Sequence, residues 1–125
     1  MLVGTGIDLI EIQRIAESIE RFGHRFLTRI YTPGEIAYCQ SKKNSAESFA
    51  ARFAAKEAAA KALGTGIQHG VRWQELEVRR ERGSRPRLHL SGRAKEIAGR
   101  LGVRHVSLSL AHSTTTAMAT VHLES

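Results

Sequence analysis

Asp8, Lys56, Glu57 and Lys61 are the residues whose types and spacing suit a reacting centre. Asp8 follows Gly4 and Gly6 on one face of a period-two segment, residues 2–10, whose other face carries Val3, Thr5, Ile7 and Leu9. Two glycines before an acid leave a bare face that something can approach closely. Lys56, Glu57 and Lys61 sit on an alanine-rich helix predicted over residues 45–63. Glu57 and Lys61, at i and i+4, share a face that points toward the loop Gly64-Thr65-Gly66. Asp8 and Glu57 form an oxygen-only pair of metal candidates. Mg²⁺ commonly takes one or two carboxylates, keeps water and lets substrate phosphates complete its octahedron. Lys61 adds a cation, and the glycine loop adds flexible backbone whose N–H groups suit phosphate oxygens. The blander alternative is a surface ion pair between Glu57 and Lys61, worth a few tenths of a kcal/mol.

Other chemistries lack their residues. Cys39 is the single cysteine and the six histidines are scattered, so neither a zinc site nor an internal disulfide is expected. No G-x-x-x-x-G-K-[ST] order and no G-x-S-x-G elbow occurs.

These residues must be positioned by a chain of 125 residues, read as one domain spanning 1–125. Apolar residues make up 42% and charged residues 25%, an ordinary globular composition. Nineteen Lys+Arg against twelve Asp+Glu give +7, which points to an acidic or phosphate-rich partner. No signal peptide and no membrane span is read, and a reducing, cytoplasmic compartment is expected.

Residues 2–10 read as a strand, and residues 11–22 as a helix with Ile12, Ile15, Ile19 and Phe22 inward. Gly23 interrupts, and a tilted turn or two follows with Phe26, Leu27 and Ile30 inward. Thr32-Pro33-Gly34-Glu35 is a capping-box start for a short helix over 36–42. Asn44 caps the long helix, on which Phe49 and Phe53 are expected to stack, and Gly64 ends it. A strand over 73–80, a turn at 83–86 and a strand over 88–90 form a hairpin. Ser91 caps a helix over 92–101, with Ala94, Ile97, Ala98 and Leu101 inward. Two strands then flank a His112-Ser113-Thr114-Thr115 turn. The order predicts an α+β domain: a mainly antiparallel sheet with a long central helix and shorter helices packed on it.

Two stretches carry a family resemblance that runs over essentially the whole chain. Gly6-Ile7-Asp8-Leu9-Ile10-Glu11-Ile12 and the run from Arg52 through Lys56-Glu57, Lys61 and Gly64-Thr65-Gly66 to Ile67 resemble the two signatures of the phosphopantetheinyl transferases. The short length and single motif set are similar to the bacterial holo-[acyl-carrier-protein] synthase branch. The resemblance implies transfer of 4′-phosphopantetheine from coenzyme A to a serine of apo acyl carrier protein, with release of adenosine 3′,5′-bisphosphate, in support of fatty acid biosynthesis. It implies Mg²⁺ held by Asp8 and Glu57, and Lys61, Gly64 and Thr65 against coenzyme A. For that reaction Glu57, directly or through a metal-bound water, is the candidate base. It also implies a homotrimer with sites between subunits. Relatives often read Gly-Lys-Pro where this chain has Ser84-Arg85-Pro86; Pro86 is the candidate coenzyme A contact, and Arg85 the candidate replacement for the lysine's charge. His112, in a Ser-x-x-His-Ser stretch, is a candidate phosphate contact, against the plainer reading of an ordinary turn histidine. Arg14, Arg21 and Arg25 form a basic face expected to dock the acidic carrier protein.

Two other function classes account for part of the sequence. A nucleic-acid module fits the charge, but aromatics total 6% and show no stacking cluster, so no nucleic-acid partner is expected. In a noncatalytic scaffold, Glu57 and Lys61 would be structural only.

Overall fold

The computed structural model describes residues 1–125, and its element order follows from local signals that the sequence carries. Strand β1 (Leu2–Glu11) leads directly into α1 (Ile12–Phe22), and Gly23, at φ +57°, turns the chain into α2 (His24–Ile30). Helix α3 (Pro33–Gln40) opens on a complete capping box: Thr32 Oγ1 accepts from Glu35 N at 3.2 Å, and Glu35 Oε1 accepts from Thr32 N at 2.9 Å. Asn44 Oδ1 accepts from Glu47 N at 3.2 Å and starts α4 (Ser45–Leu63), which Gly64 closes at φ +81°. The rest runs β2 (Leu76–Arg79), β3 (Arg87–Leu90), α5 (Gly92–Arg100), β4 (His105–His112) and β5 (Thr116–Glu124).

The strands form two antiparallel sheets, one ordered β1-β5-β4 and the other a β2-β3 hairpin. The architecture is the expected α+β class, with α4 central. Its alanines at 54, 55, 58, 59, 60 and 62 are buried. Small side chains bring helix and sheet backbones together, and β1 reciprocates with Gly4 and Gly6. A Cβ on Gly4 would run into the Ala62 carbonyl oxygen, and one on Gly6 into that of Ala58. The bare face of β1 is therefore the inner one. Its apolar face is turned outward, with Ile7 56% and Leu9 65% exposed.

Five local expectations differ. Residues 73–75 form a 3₁₀ turn, and the strand begins only at Leu76, because Lys56 Nζ donates to the Trp73 and Leu76 carbonyls and Glu75 Oε1 accepts from Arg72 N. Helix α5 is not capped by Ser91; Glu75 Oε2 accepts from Arg93 N at 3.1 Å and serves instead. Phe49 and Phe53 do not stack on each other: Phe49 meets Tyr31 at 4.9 Å between centroids and Phe53 meets Trp73 at 5.0 Å. Phe22 and Leu101 lie at helix ends beyond the core, 52% and 42% exposed. His112 is the last residue of β4, paired with Ala117, so the connecting turn is Ser113–Thr115.

Candidate functional site

Register along β1 brings the first acid to α4. Gly4, Gly6 and Asp8 point the same way, so Asp8 is the first side chain on the face where strand and helix nearly touch. Its carboxylate is 16% exposed and accepts from Lys61 Nζ at 3.1 Å. The same ammonium donates to the Ile7 carbonyl at 3.0 Å, while its side chain remains 52% exposed. Glu57, one turn before Lys61 on α4, is half-buried beside them. Burial first, and then the negative charge of Asp8, push its carboxyl above the ordinary carboxylate range, against the pull of Lys61. Lys61 therefore pairs with Asp8 across the strand–helix junction rather than with Glu57 along its own helix.

Two carboxylates at one junction, near enough that the charge of Asp8 adds to burial in raising Glu57, offer oxygen donors to a hard divalent cation. No third His, Cys, Asp or Glu joins them in a metal-holding group. The donor set thus fits Mg²⁺, with water and substrate oxygens left to fill the remaining positions.

The glycine loop departs from expectation. Gly64 N donates to the Lys61 carbonyl at 3.0 Å, and Thr65 N and Gly66 N both donate to the Ala60 carbonyl at 3.2 Å. These N–H groups close the end of α4 and are not free for phosphate, because an αL glycine ends a helix by turning the following amides back onto it. Thr65 Oγ1, donating to the Gly66 carbonyl at 2.8 Å, is the remaining polar group of this loop.

Lys56 is remote from this chemistry despite its place next to Glu57. It is fully buried, with its ammonium 2.7 Å from Glu35 Oε1 and bonded to the Trp73 and Leu76 carbonyls at 3.0 and 3.1 Å. Glu35 Oε2 accepts from Val78 N at 2.9 Å. This buried group locks α3, α4 and β2 together. Burial holds the Lys56 ammonium below its ordinary value even with Glu35 opposite.

His112 lies elsewhere in the chain's own fold. Its Nε2 is 3.2 Å from Glu47 Oε1, at the N-terminal end of α4 and about 15 Å along the helix from Glu57. Pro86 lies between the hairpin strands, half-buried, and Arg85 beside it is exposed. Arg14 and Arg21 line a shallow surface cavity with Glu17, Ser18 and Phe22, and the Arg21 guanidinium lies 5.2 Å from the Phe22 ring. Arg25, on α2, is exposed.

Arg52 is the residue that sequence reasoning passed over. It is 4% exposed, its Nε–H has no partner, and its guanidinium lies 4.0 Å from the Tyr38 ring centroid. With Gly34, Tyr38, Glu77 and Arg80 it lines a cavity of about 250 Å³. Burial raises the Tyr38 hydroxyl, but the charges of Arg52, Lys42 and Arg80 outweigh it and hold the group below its ordinary value. Arg52, Arg79 and Arg80 outnumber the one carboxylate, Glu77, among the side chains that line the cavity. Its only sequence signal is an arginine on an otherwise buried helical stripe.

The chain is similar to proteins of one family. Residues 4–120 match the model of the 4′-phosphopantetheinyl transferase superfamily. A holo-[acyl-carrier-protein] synthase of Koribacter versatilis is 58% identical over 124 residues, covering 99% of both chains. The crystal structure of the holo-[acyl-carrier-protein] synthase from Neisseria meningitidis superposes with a TM-score of 0.89 at 33% identity over 100% of both chains. The Helicobacter pylori enzyme of that name, solved in complex with coenzyme A, gives 0.84 at 32% identity, covering 96% of this chain and 99% of that one.

Proposed function

The chain belongs to the 4′-phosphopantetheinyl transferase superfamily, and we infer from that premise that it transfers 4′-phosphopantetheine from coenzyme A to a serine of apo acyl carrier protein. The serine Oγ attacks the phosphorus on the pantetheine side of the pyrophosphate. The bond to the bridging oxygen breaks, and adenosine 3′,5′-bisphosphate leaves. The observation that carries the site assignment is the meeting of Asp8, Glu57 and Lys61 at one strand–helix junction.

Asp8 and Glu57 are the residues that would hold Mg²⁺, which, when bound, neutralises charge on the diphosphate. Lys61, half-exposed, would meet the negative charge that develops on the leaving oxygens. Glu57 is the assigned base. It would take the serine proton directly or through a metal-bound water. Thr65 Oγ1 and Pro86 are assigned to coenzyme A. The 3′-phosphate is assigned to the Arg52 cavity, whose unpartnered Nε–H and surrounding positive charge suit a dianion.

Arg14, Arg21 and Arg25 dock the acidic carrier, in keeping with the +7 charge. Reversing the charge of Arg14 and Arg21 is expected to raise the carrier's KM at low salt and leave coenzyme A binding unchanged; an unchanged carrier KM removes the assignment. The outward apolar face of β1, with Ile7 and Leu9, supports assembly with further copies of this chain as a homotrimer. There a neighbour's His112 or hairpin completes each site. Sedimentation velocity tests that assembly. No helix is long and apolar enough to cross a membrane, and the proposed setting is cytoplasmic fatty acid biosynthesis.

Mass spectrometry of apo carrier protein incubated with this protein, coenzyme A and Mg²⁺ tests the whole reading. The expected result is a phosphopantetheine adduct that disappears with chelator; no adduct on any apo carrier overturns it.

A further inference from the structure

The Lys61 ammonium stands where a cation serving Asp8 would have to stand. It is 3.1 Å from Asp8 Oδ1 and 3.0 Å from the Ile7 carbonyl, so it bridges two oxygens of β1, an edge strand of its sheet. Glu57 lies one helical turn before it on α4, so both acids lie within reach of its charge. Without it, two carboxylates would face each other across a partly dry junction, which is costly. The side chain is half-exposed and long, and nothing but these two contacts holds its end. An ammonium and a divalent cation cannot both press on the same carboxylate oxygen without repulsion.

We propose that Lys61 is the site's internal counter-ion. It balances Asp8 and Glu57 while the site waits, competes with the divalent cation for Asp8, and is released toward the substrate's phosphate as that cation enters. This rests on the reading of Asp8 and Glu57 as cation ligands, and it adds something that reading does not require: a lysine that opposes metal binding before substrate arrives. The exchange is a trade of partners with no covalent step. The order of events follows from it. An ion entering alone must displace Lys61 into water, whereas one entering with a diphosphate finds a new anionic partner for the displaced ammonium. Coenzyme A and the divalent ion therefore bind with positive coupling, part of which runs through one side chain.

The test is calorimetric titration of the full-length protein with Mn²⁺ in the absence of coenzyme A, for wild type, Lys61→Met, Lys61→Gln and Asp8→Asn. Circular dichroism checks that each is folded. Both Lys61 variants are expected to bind Mn²⁺ about tenfold more tightly than wild type, the scale on which a neighbouring charge shifts a carboxylate's affinity for a cation. Asp8→Asn is expected to bind at least tenfold more weakly. Equal or weaker Mn²⁺ binding by both Lys61 variants, with Asp8→Asn still impaired, overturns the counter-ion role and leaves the metal assignment standing. Asp8→Asn binding like wild type removes the metal assignment itself. A second titration with coenzyme A present reads the coupling: its gain in Mn²⁺ affinity is expected to shrink in Lys61→Met, and an undiminished gain counts against the release of Lys61.

Discussion

Replacing Lys56 by Met should disable the fold in a way that a second substitution does not repair. Lys56 has three donors and uses all of them, on Glu35 and on the Trp73 and Leu76 carbonyls. Glu35 in turn accepts from Thr32 N and Val78 N. Removing one partner of a buried ion pair typically costs about 3–5 kcal/mol. Against a total stability of about 5–15 kcal/mol for a domain of this kind, that is a large fraction. For many buried pairs, replacing both partners with apolar residues recovers the loss. Here the pair also serves backbone groups of β2. Glu35→Leu with Lys56→Met would leave the buried Val78 N–H and Leu76 C=O without partners, at about 1–3 kcal/mol each. The double variant is therefore expected to remain below wild type. Urea unfolding followed by tryptophan fluorescence compares wild type with both variants, with Trp73 reporting from the adjoining turn. A Lys56→Met loss under about 1 kcal/mol, or a double variant as stable as wild type, refutes the argument.

Three further outcomes are expected. Glu57→Gln should abolish transfer. The folded state raises this carboxyl, so ionising it costs stability as pH climbs from the ordinary glutamate value through the raised one; Glu57→Gln should thus melt at or above wild type at pH 7, with the difference vanishing below pH 4. Arg52→Met should raise the coenzyme A KM by about tenfold or more, as loss of a charge-assisted hydrogen bond does, with the carrier KM unchanged; steady-state kinetics with each substrate varied decides it. Gly6→Ala should lower the melting temperature by several degrees, because its Cβ meets the Ala58 backbone, which cannot move aside as a side chain tip would. Overpacking of this kind costs about 1–3 kcal/mol, and a melting temperature within 1 °C of wild type rejects it.

Much of the frame was legible because its signals are local. Thr32 with Glu35 and Asn44 with Glu47 cap the helices that their spacing predicts, and the Gly4-Gly6-Asp8 alternation marks the face that α4 approaches. Asp8 and Glu57 could be paired in advance only through the motif resemblance, since nothing in periodicity says that residues 49 positions apart will meet. What the sequence hid is long-range. Glu75 caps a helix it does not adjoin in sequence, Lys56 bonds the chain into a turn at Trp73 where alternation suggested a strand, and Glu35 is both a cap and a buried counter-charge. Arg52 escaped for the same reason: an arginine inside an alanine stripe signals burial only when Tyr38 and β2 close around it.

The three amides that terminate α4 have a consequence for how this protein can grip an anion. Gly64, Thr65 and Gly66 spend their N–H groups on the carbonyls of Ala60 and Lys61. A phosphate seeking those amides would have to unravel the final helical turn, which is the turn that aims Lys61. Backbone cradling and a well-aimed lysine are thus competing designs at this spot, and the chain has adopted the second, leaving the helix end as a rigid stop rather than a nest.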